Sequence, residues 1–553
     1  MGVAGLARRL EPYASRYSLQ EVEGYSAILD GPALAYYAHK LALVASAGQT
    51  RIPSYADIIT AAFRWLNSLE DMNIKVSKIL FDGALPQSKR GERLSRLEQN
   101  NKRVQQLRAS YPTEACPIPT YLGSNAFAFL APALREALVK SPFASRTHIV
   151  PGEADDWCAL YAKNDGHCLI FTSDTDLILY DYPPETLIVF PQDADLSAGI
   201  RAYSPEQIRQ KLQLKSLVPF AFSISQGPSD LASDILRKSQ ALDLASNDYL
   251  AFSTRYTAEA AAPAYLSQTR ARSFNLQGLD VRVSEFVHQA LDGSILPLVY
   301  LPLLVEDPNQ ASAWNMGQNI RILAYSLLAP QNAVVHEYKR KAQGISVHEI
   351  KMYCTSNMQV LAVDLEQQVS ALAKWASSKA VEANLLWPLF SLSLVLADLN
   401  TAPSVALVLR VLNGEFDNTW AFIQLMARIQ AVLYSLRMLK QIVGACLKFT
   451  EENDAKLHGC LSSIDERMNK FPSISNMFSV PGQRGKTLVG HEKLKDLVEE
   501  IYASAGVELP TQQVSNKVKK RQAREAERKK RKAEQRHNPK SQIPNGFMPL
   551  PTD

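Results

Sequence analysis

Cysteine is scarce and scattered: six residues in a chain of 553 (Cys116, Cys158, Cys168, Cys354, Cys446 and Cys460), with no CxxC pair and no Cys/His cluster. That argues against a disulfide framework and against structural zinc, and it fits reduced thiols in an intracellular protein. Long apolar runs are missing too. The most apolar stretch, Leu385–Ala397, holds 13 residues and is interrupted by Pro388. A membrane span needs about 20, so this is core and no membrane partner is expected. The amino terminus lacks a charged region followed by an apolar run, so no secretory signal is expected. Met1-Gly2 invites myristoylation, but Leu6 stands where that motif needs Ser or Thr. No internal repeat stands out.

The composition, 46% hydrophobic and 21% charged, is that of a globular protein long enough for two or three domains. The net charge of +5 is uneven. Residues 517–540 carry twelve Lys/Arg against three Glu, a local +9, which leaves the rest at −4. This segment, with Lys519, Lys520, Lys529 and Arg531, is poor in apolar residues and runs into prolines. It reads as a disordered basic tail over 506–553, suited to nuclear import or nonspecific nucleic-acid attachment.

The most informative residues are acidic and stand where strand-like runs end. They occur in Leu29-Asp30-Gly31, Phe81-Asp82-Gly83, Gly152-Glu153-Ala154-Asp155-Asp156 and Ser173-Asp174-Thr175-Asp176. Tyr25–Leu29, Val76–Phe81 and Cys168–Thr172 read as buried strands, as do Thr147–Val150, Thr186–Phe190 and Phe220–Ser225. A helix is expected from Ser54, with Asp57 completing a capping box. Strands separated by helices predict an α/β fold with a mostly parallel sheet over residues 1–240. Past 281 few alternating strand patterns are found. Helical spacing over Asn315–Leu328, Val360–Trp375 and the run after Asp417-Asn418 predicts a largely α-helical domain over 241–505, with no recognisable chemistry.

A single Asp-Gly after a strand is usually a turn, because Asp bonds its own backbone and Gly accepts positive φ. Asp174 and Asp176 are more telling. One residue apart in an extended segment, they face the same side and repel unless a cation sits between them. In the 152–156 segment, a helix starting at Gly152 pairs Glu153 with Asp156, whereas Glu153 outside the helix pairs with Asp155; both remain open. Carboxylates gathered at the carboxyl edge of a parallel sheet suit Mg²⁺ or Mn²⁺, and with them phosphate chemistry. The stretch Ser88–Ser110 adds seven cations. At about 100° per residue, Lys89, Arg93, Arg96 and Arg103 share one helix face able to grip nucleic-acid phosphates.

In order along the chain, Met1-Gly2-Val3-Ala4-Gly5-Leu6 and the four acidic segments resemble the motifs of the flap endonuclease/XPG family, whose nuclease domain is PIN-like. Leu301-Pro302-Leu303-Leu304-Val305-Glu306-Asp307-Pro308 and Ser312-Ala313-Trp314 resemble the Asteroid branch. The resemblance implies metal-dependent phosphodiester hydrolysis with two Mg²⁺ or Mn²⁺ ions as cofactors. It implies Asp30, Asp82, Glu153, Asp155, Asp174 and Asp176 as metal ligands, with Asp156 and Asp230 as further candidates and Asp234 a weaker one. Lys89 and Arg96 match residues that contact the scissile phosphate, and Gly2 matches a segment near the substrate path. Three departures stand out, the first being Asp155, one methylene shorter than the Glu of the family's motif. Gln226-Gly227-Pro228-Ser229-Asp230 replaces the Gly-Ser-Asp segment, and the helix–turn–helix that should follow is not evident in Leu231–Leu244.

Two functions follow. The first is a structure-selective DNA endonuclease of the nucleus, with the cytoplasm as alternative location, acting in repair on junctions between single strand and duplex. The second is a catalytically weak scaffold that binds RNA or, through its helical domain, protein.

Overall fold

The structure, a computed structural model, describes residues 2–509 apart from 48–50, 87–88, 114, 117, 196, 258–275, 450–454 and 484–489. The basic segment with Lys519, Lys520, Lys529 and Arg531 lies outside the described residues. In chain order the strands are β1 (Ser15–Tyr17), β2 (Ser26–Asp30), β3 (Lys75–Asp82), β4 (Thr147–Val150), β5 (Cys168–Phe171), β6 (Leu187–Val189), β7 (Ala194–Asp195), β8 (Gly199–Ala202), β9 (Leu298–Tyr300), β10 (Val334–Lys341) and β11 (Gly344–Lys351).

Five of them form the central sheet in the order β4-β3-β2-β5-β6, and every neighbouring pair is parallel. Successive side chains of a strand go to opposite faces. Ala27, Leu29, Ile79 and Phe81 therefore join one apolar core, and Ile28 and Leu80 the other. Helices Gly31–Ala45, Tyr55–Asp71 and Leu130–Leu138 cover the first face, and Ala154–Lys163 and Val218–Gln226 the second. Because all five strands run the same way, their carboxyl ends share one edge. Asp30 and Asp82 are the last residues of β2 and β3. The segments after β4 and β5 deliver Glu153 and Asp174 to that same edge.

Local expectations hold where the signal was chemical. Ser54 caps its helix through a capping box with Asp57. The run after Asp417-Asn418 is a 30-residue helix, Trp420–Phe449, and the other two expected helices lie at Thr355–Ser378 and Gln318–Ser326. Phe220–Ser225 is not a strand. It lies in the helix Val218–Gln226, which Pro219 helps to start and which is buried nearly all round; a short apolar run fits either state. The second region is largely helical but not wholly so. The β10–β11 hairpin pairs antiparallel, and β9 joins β10 in parallel. Ala232–Gln240 packs against Val218–Gln226 across the Gly227-Pro228-Ser229-Asp230 turn, and it is the only described helix within Leu231–Leu244. No described helix is long and apolar enough to cross a membrane.

The apolar core beneath the first face continues into the C-terminal helices, through Phe286, Trp314, Leu389, Ile423 and Tyr434. Inside it, Arg321 and Glu337 are both fully buried and joined by two hydrogen bonds of 2.7 and 2.9 Å. Tyr325, Ser435 and two backbone carbonyls satisfy the remaining valences. Such a pair contributes little net energy while intact, but removing one partner strands a buried charge. Arg321→Leu is expected to lower unfolding free energy by about 3–5 kcal/mol in denaturant titration. A loss under about 1 kcal/mol would mean that Lys339, whose Nζ already lies 3.6 Å from Glu337 Oε1, compensates the carboxylate alone.

Candidate active site

The carboxyl edge of the sheet gathers the acids in a recess beside the Arg90–Ser110 helix. Asp30 is 7% exposed, at the junction of β2 and the following helix. Its Oδ1 accepts from Ala33 N at 3.2 Å and its Oδ2 from Thr172 Oγ1 at 3.1 Å. A Cβ on Gly31 would lie 2.7 Å from the Leu80 carbonyl oxygen, so only glycine lets this helix start against β3. Asp82 Oδ1 accepts from Ala154 N at 2.8 Å, which ties the end of β3 to the next helix.

That helix, Ala154–Lys163, starts with Glu153 still extended, after Gly152 has turned the chain at φ +81°. Glu153 is therefore outside the helix, and it interacts with both Asp155 and Asp156. Asp155 lies within electrostatic reach of Asp30, Asp174, Asp82 and Glu153. Asp156 is held by Tyr180 Oη at 2.6 Å. Asp174 and Asp176 are close but not through an extended segment. Asp174 caps the short 3₁₀ helix Thr175–Leu179, and its Oδ1 accepts from Asp176 N at 3.0 Å. Tyr256 Oη and Val3 N donate to the Asp176 carboxylate at 3.0 and 2.7 Å. Gly2 lies so close that a Cβ there would strike the Asp174 and Asp176 carboxylates. Thr172, Tyr180 and Tyr256 escaped the sequence reading, because nothing in the chain marks which hydroxyls fold back onto which acid.

Burial and acidic neighbours push Asp30, Asp82, Glu153, Asp155 and Asp176 toward their protonated forms. Burial, then Asp82, raise Asp30 to about 7 against the bonds from Ala33 and Thr172. Asp155 stands well above the ordinary range through burial and four acidic neighbours. Its Oδ1 is buried with no hydrogen-bond partner. Burial also raises Asp82, opposed by the Ala154 N–H and by Arg93, Arg96 and Lys89. It raises Glu153, opposed by Lys89, and it raises Asp176, assisted by Asp174.

The cations expected on one helix face do different things. Lys89 Nζ is 3.2 Å from Glu153 Oε1. Burial alone would lower its pKa, but Glu153 and its neighbours outweigh that and raise it. Arg96, about half exposed, pairs with Glu92 on its own helix. Arg93 is not free for a phosphate: Glu285 accepts from it at 2.8 and 2.9 Å, and its guanidinium lies 4.0 Å over the Tyr300 ring. Arg103 is exposed. Asp230 pairs with Lys238 at 2.6 Å and Asp234 with Arg237 at 2.9 Å.

An all-carboxylate donor set with an orphaned buried oxygen fits hard divalent ions. Asp30, Asp82, Glu153, Asp155, Asp174 and Asp176 are the residues that would hold them. As placed, no three His, Cys, Asp or Glu side chains among the described residues stand in an arrangement that could hold a metal ion.

The raised acids give a signed prediction. Near pH 4 and below, Asp30 is protonated in both folded and unfolded chains. Between about 4 and about 7 the unfolded chain ionises while the folded one keeps its proton, so stability falls as pH rises, and above about 7 the loss is complete. In chelator, the melting temperature should drop from pH 5 to 7.5, and Asp30→Asn should flatten that slope. Millimolar Mn²⁺ should raise the melting temperature more at pH 7.5 than at pH 5, because protons compete for the same oxygens. Equal shifts at both pH values would count against binding at these acids.

A family profile described as "XPG domain containing" matches residues 126–352. Asteroid homolog 1 of Schizosaccharomyces pombe is 24% identical over 368 residues, which span 63% of this chain and 65% of that relative, less than two thirds of its length. The catalytic core of Rad2 in complex with a DNA substrate matches at 20% identity and TM-score 0.29, over 43% of this chain and 67% of that one. Human GEN1 in complex with Holliday junction DNA matches at 17% identity and TM-score 0.30, over 53% and 73%. Residues 126–352 thus match an XPG domain, and the chain is similar to Asteroid homolog 1.

Proposed function

We propose that this protein is a divalent-metal-dependent, structure-selective endonuclease acting on DNA with single-strand/duplex junctions, in nuclear repair. One observation carries the reading: Asp155 is buried within electrostatic reach of Asp30, Asp82, Glu153 and Asp174, acids from its own and three other chain segments, and its Oδ1 is left unpartnered. Such an arrangement costs stability unless a cation is bound. Bound ions would supply a deprotonated water and offset charge on the phosphate.

The chain's own groups have separate tasks. Thr172 and the Ala33 N–H orient Asp30, Ala154 N–H orients Asp82, and Tyr256 and Val3 N–H orient Asp176. Lys89 and Arg96 stand at the amino end of the Arg90–Ser110 helix, within electrostatic reach of Asp82. They are placed to neutralise charge building on a phosphate oxygen.

The competing reading, a weak or inactive scaffold for RNA or protein, draws on two facts. Lys89 is engaged with Glu153, and Asp230 is engaged with Lys238. Cleavage of labelled flap, overhang and bubble DNA with Mg²⁺ or Mn²⁺ decides between them. Asp174→Asn is expected to reduce turnover by about a hundredfold or more. Wild type that binds these DNAs without cutting any of them would establish the scaffold instead. For the basic segment, deleting 517–540 should weaken DNA binding and flatten its salt dependence. Unchanged binding would assign that segment to import alone.

A further inference from the structure

Beside Asp82, Lys89 and Arg96 lies a cavity of about 230 Å³, and next to it a second of about 140 Å³. The two share Arg93 and Arg282 as lining residues, so both side chains border each cavity. Arg93 is spoken for by Glu285 and Tyr300. Arg282 is not. Its Nη2 donates to the Ala128 carbonyl at 3.2 Å, while Nη1 is buried without a partner, and no described acid pairs with it. Its backbone is fixed independently, since Asp280 caps the Val281–Leu291 helix through Arg282 N at 3.0 Å. A guanidinium bordering two cavities with one buried nitrogen unsatisfied is unfavourable, and a small shift of the side chain toward an entering anion would satisfy it. Arginine's fork suits a phosphate in particular.

We propose that Arg282, supplied by the C-terminal region, is a substrate-phosphate residue of the sheet-edge site. In this arrangement Glu285 holds Arg93 out of use beside it. The ligand is the phosphodiester backbone of a single strand: cavities below the about 300 Å³ of an ordinary ligand pocket cannot admit a duplex, and the adjoining wall presents Lys89 and Arg96. The proposal rests on the nucleic-acid reading above and adds a residue that neither the motifs nor the expected cationic face contains.

The test is fluorescence anisotropy of a labelled single-stranded oligonucleotide with Ca²⁺, at several salt concentrations, using the full chain. Arg282→Gln should weaken binding about five- to tenfold near 0.1 M salt and reduce the slope of log K against log salt by about one. Glu285→Gln frees Arg93 and should tighten binding while steepening that slope by about one. Wild-type binding that Arg282→Gln leaves unchanged in affinity and slope would overturn the role of Arg282. Weaker binding by Glu285→Gln would overturn the reserve role of Arg93. Wild type that fails to bind the oligonucleotide at all would instead sink the nucleic-acid reading. Should Arg282→Gln melt early, Arg282→Lys carries the test: it should keep the slope and lose affinity several-fold, and wild-type affinity would overturn the need for the guanidinium fork.

Discussion

Like charges brought together out of water must be compensated, and much of the local structure at the sheet edge can be traced to how this chain does so. Parallel strands place Asp30 and Asp82 at adjacent strand ends, so neither can be moved away without changing the topology. Backbone N–H groups at the starts of helices supply the first compensation, from Ala33 to Asp30 and from Ala154 to Asp82. Hydroxyls supply the second, from Thr172 and Tyr256. Lys89 supplies the third, against Glu153. What is left over falls on Asp155, whose buried oxygen has no donor. The residual deficit is cationic, which is why the donor set points to a hard ion and not to another hydrogen bond.

How much of this could be read from the chain depends on the range of the interaction concerned. The acids were legible because an apolar run ending in Asp is a local signal that parallel topology converts into a shared edge. The strand ends at Asp30 and Asp82 fall where the runs stop. Phe220–Ser225 was misread because period cannot separate a short buried strand from a buried helix. The β9–β11 sheet escaped because β10, reading Val334-Val335-His336-Glu337-Tyr338-Lys339-Arg340-Lys341, buries charged residues instead of alternating. Its Glu337 and Arg340 are neutralised by Arg321 and Glu306, partners 16 and 34 residues away in sequence. The cationic helix face was legible as a face but not as a function. Spacing put Arg93 beside Lys89 and Arg96, and only the fold shows that Glu285 takes it.

The Arg90–Ser110 helix is where the two regions of the chain meet, and it belongs to both. Near its amino end Lys89 and Arg96 lie by the acids. Along its length the C-terminal region fastens it in turn: Tyr338 receives Arg90, Glu285 receives Arg93, the Gln343 carbonyl receives Asn101 at 3.0 Å, and Asp307 receives Arg108 at 2.9 Å. Two of these contacts are capped by aromatic faces, Tyr300 beneath Arg93 and Trp420 at 5.0 Å from Arg108. Aromatic stacking adds to a partly desolvated guanidinium pair. The position of Lys89 and Arg96 is therefore set by residues beyond 280 as much as by the sheet.

That dependence bears on what the second region is for. A helix lying on solvent would hold Lys89 and Arg96 only as well as its own termini allow, and ends of helices fray. Fastened at four points to a region that shares its apolar core with the sheet, the helix has little freedom to swing. Preorganised cations need no reorganisation when charge develops on a phosphate, which is where electrostatic stabilisation is largest. The same rigidity limits what can enter beside the acids, because the walls of the recess are then fixed by Arg93, Arg282 and Glu285 and cannot open with the helix. Selection among nucleic-acid shapes would then fall to the C-terminal region, and hydrolytic chemistry to the sheet edge.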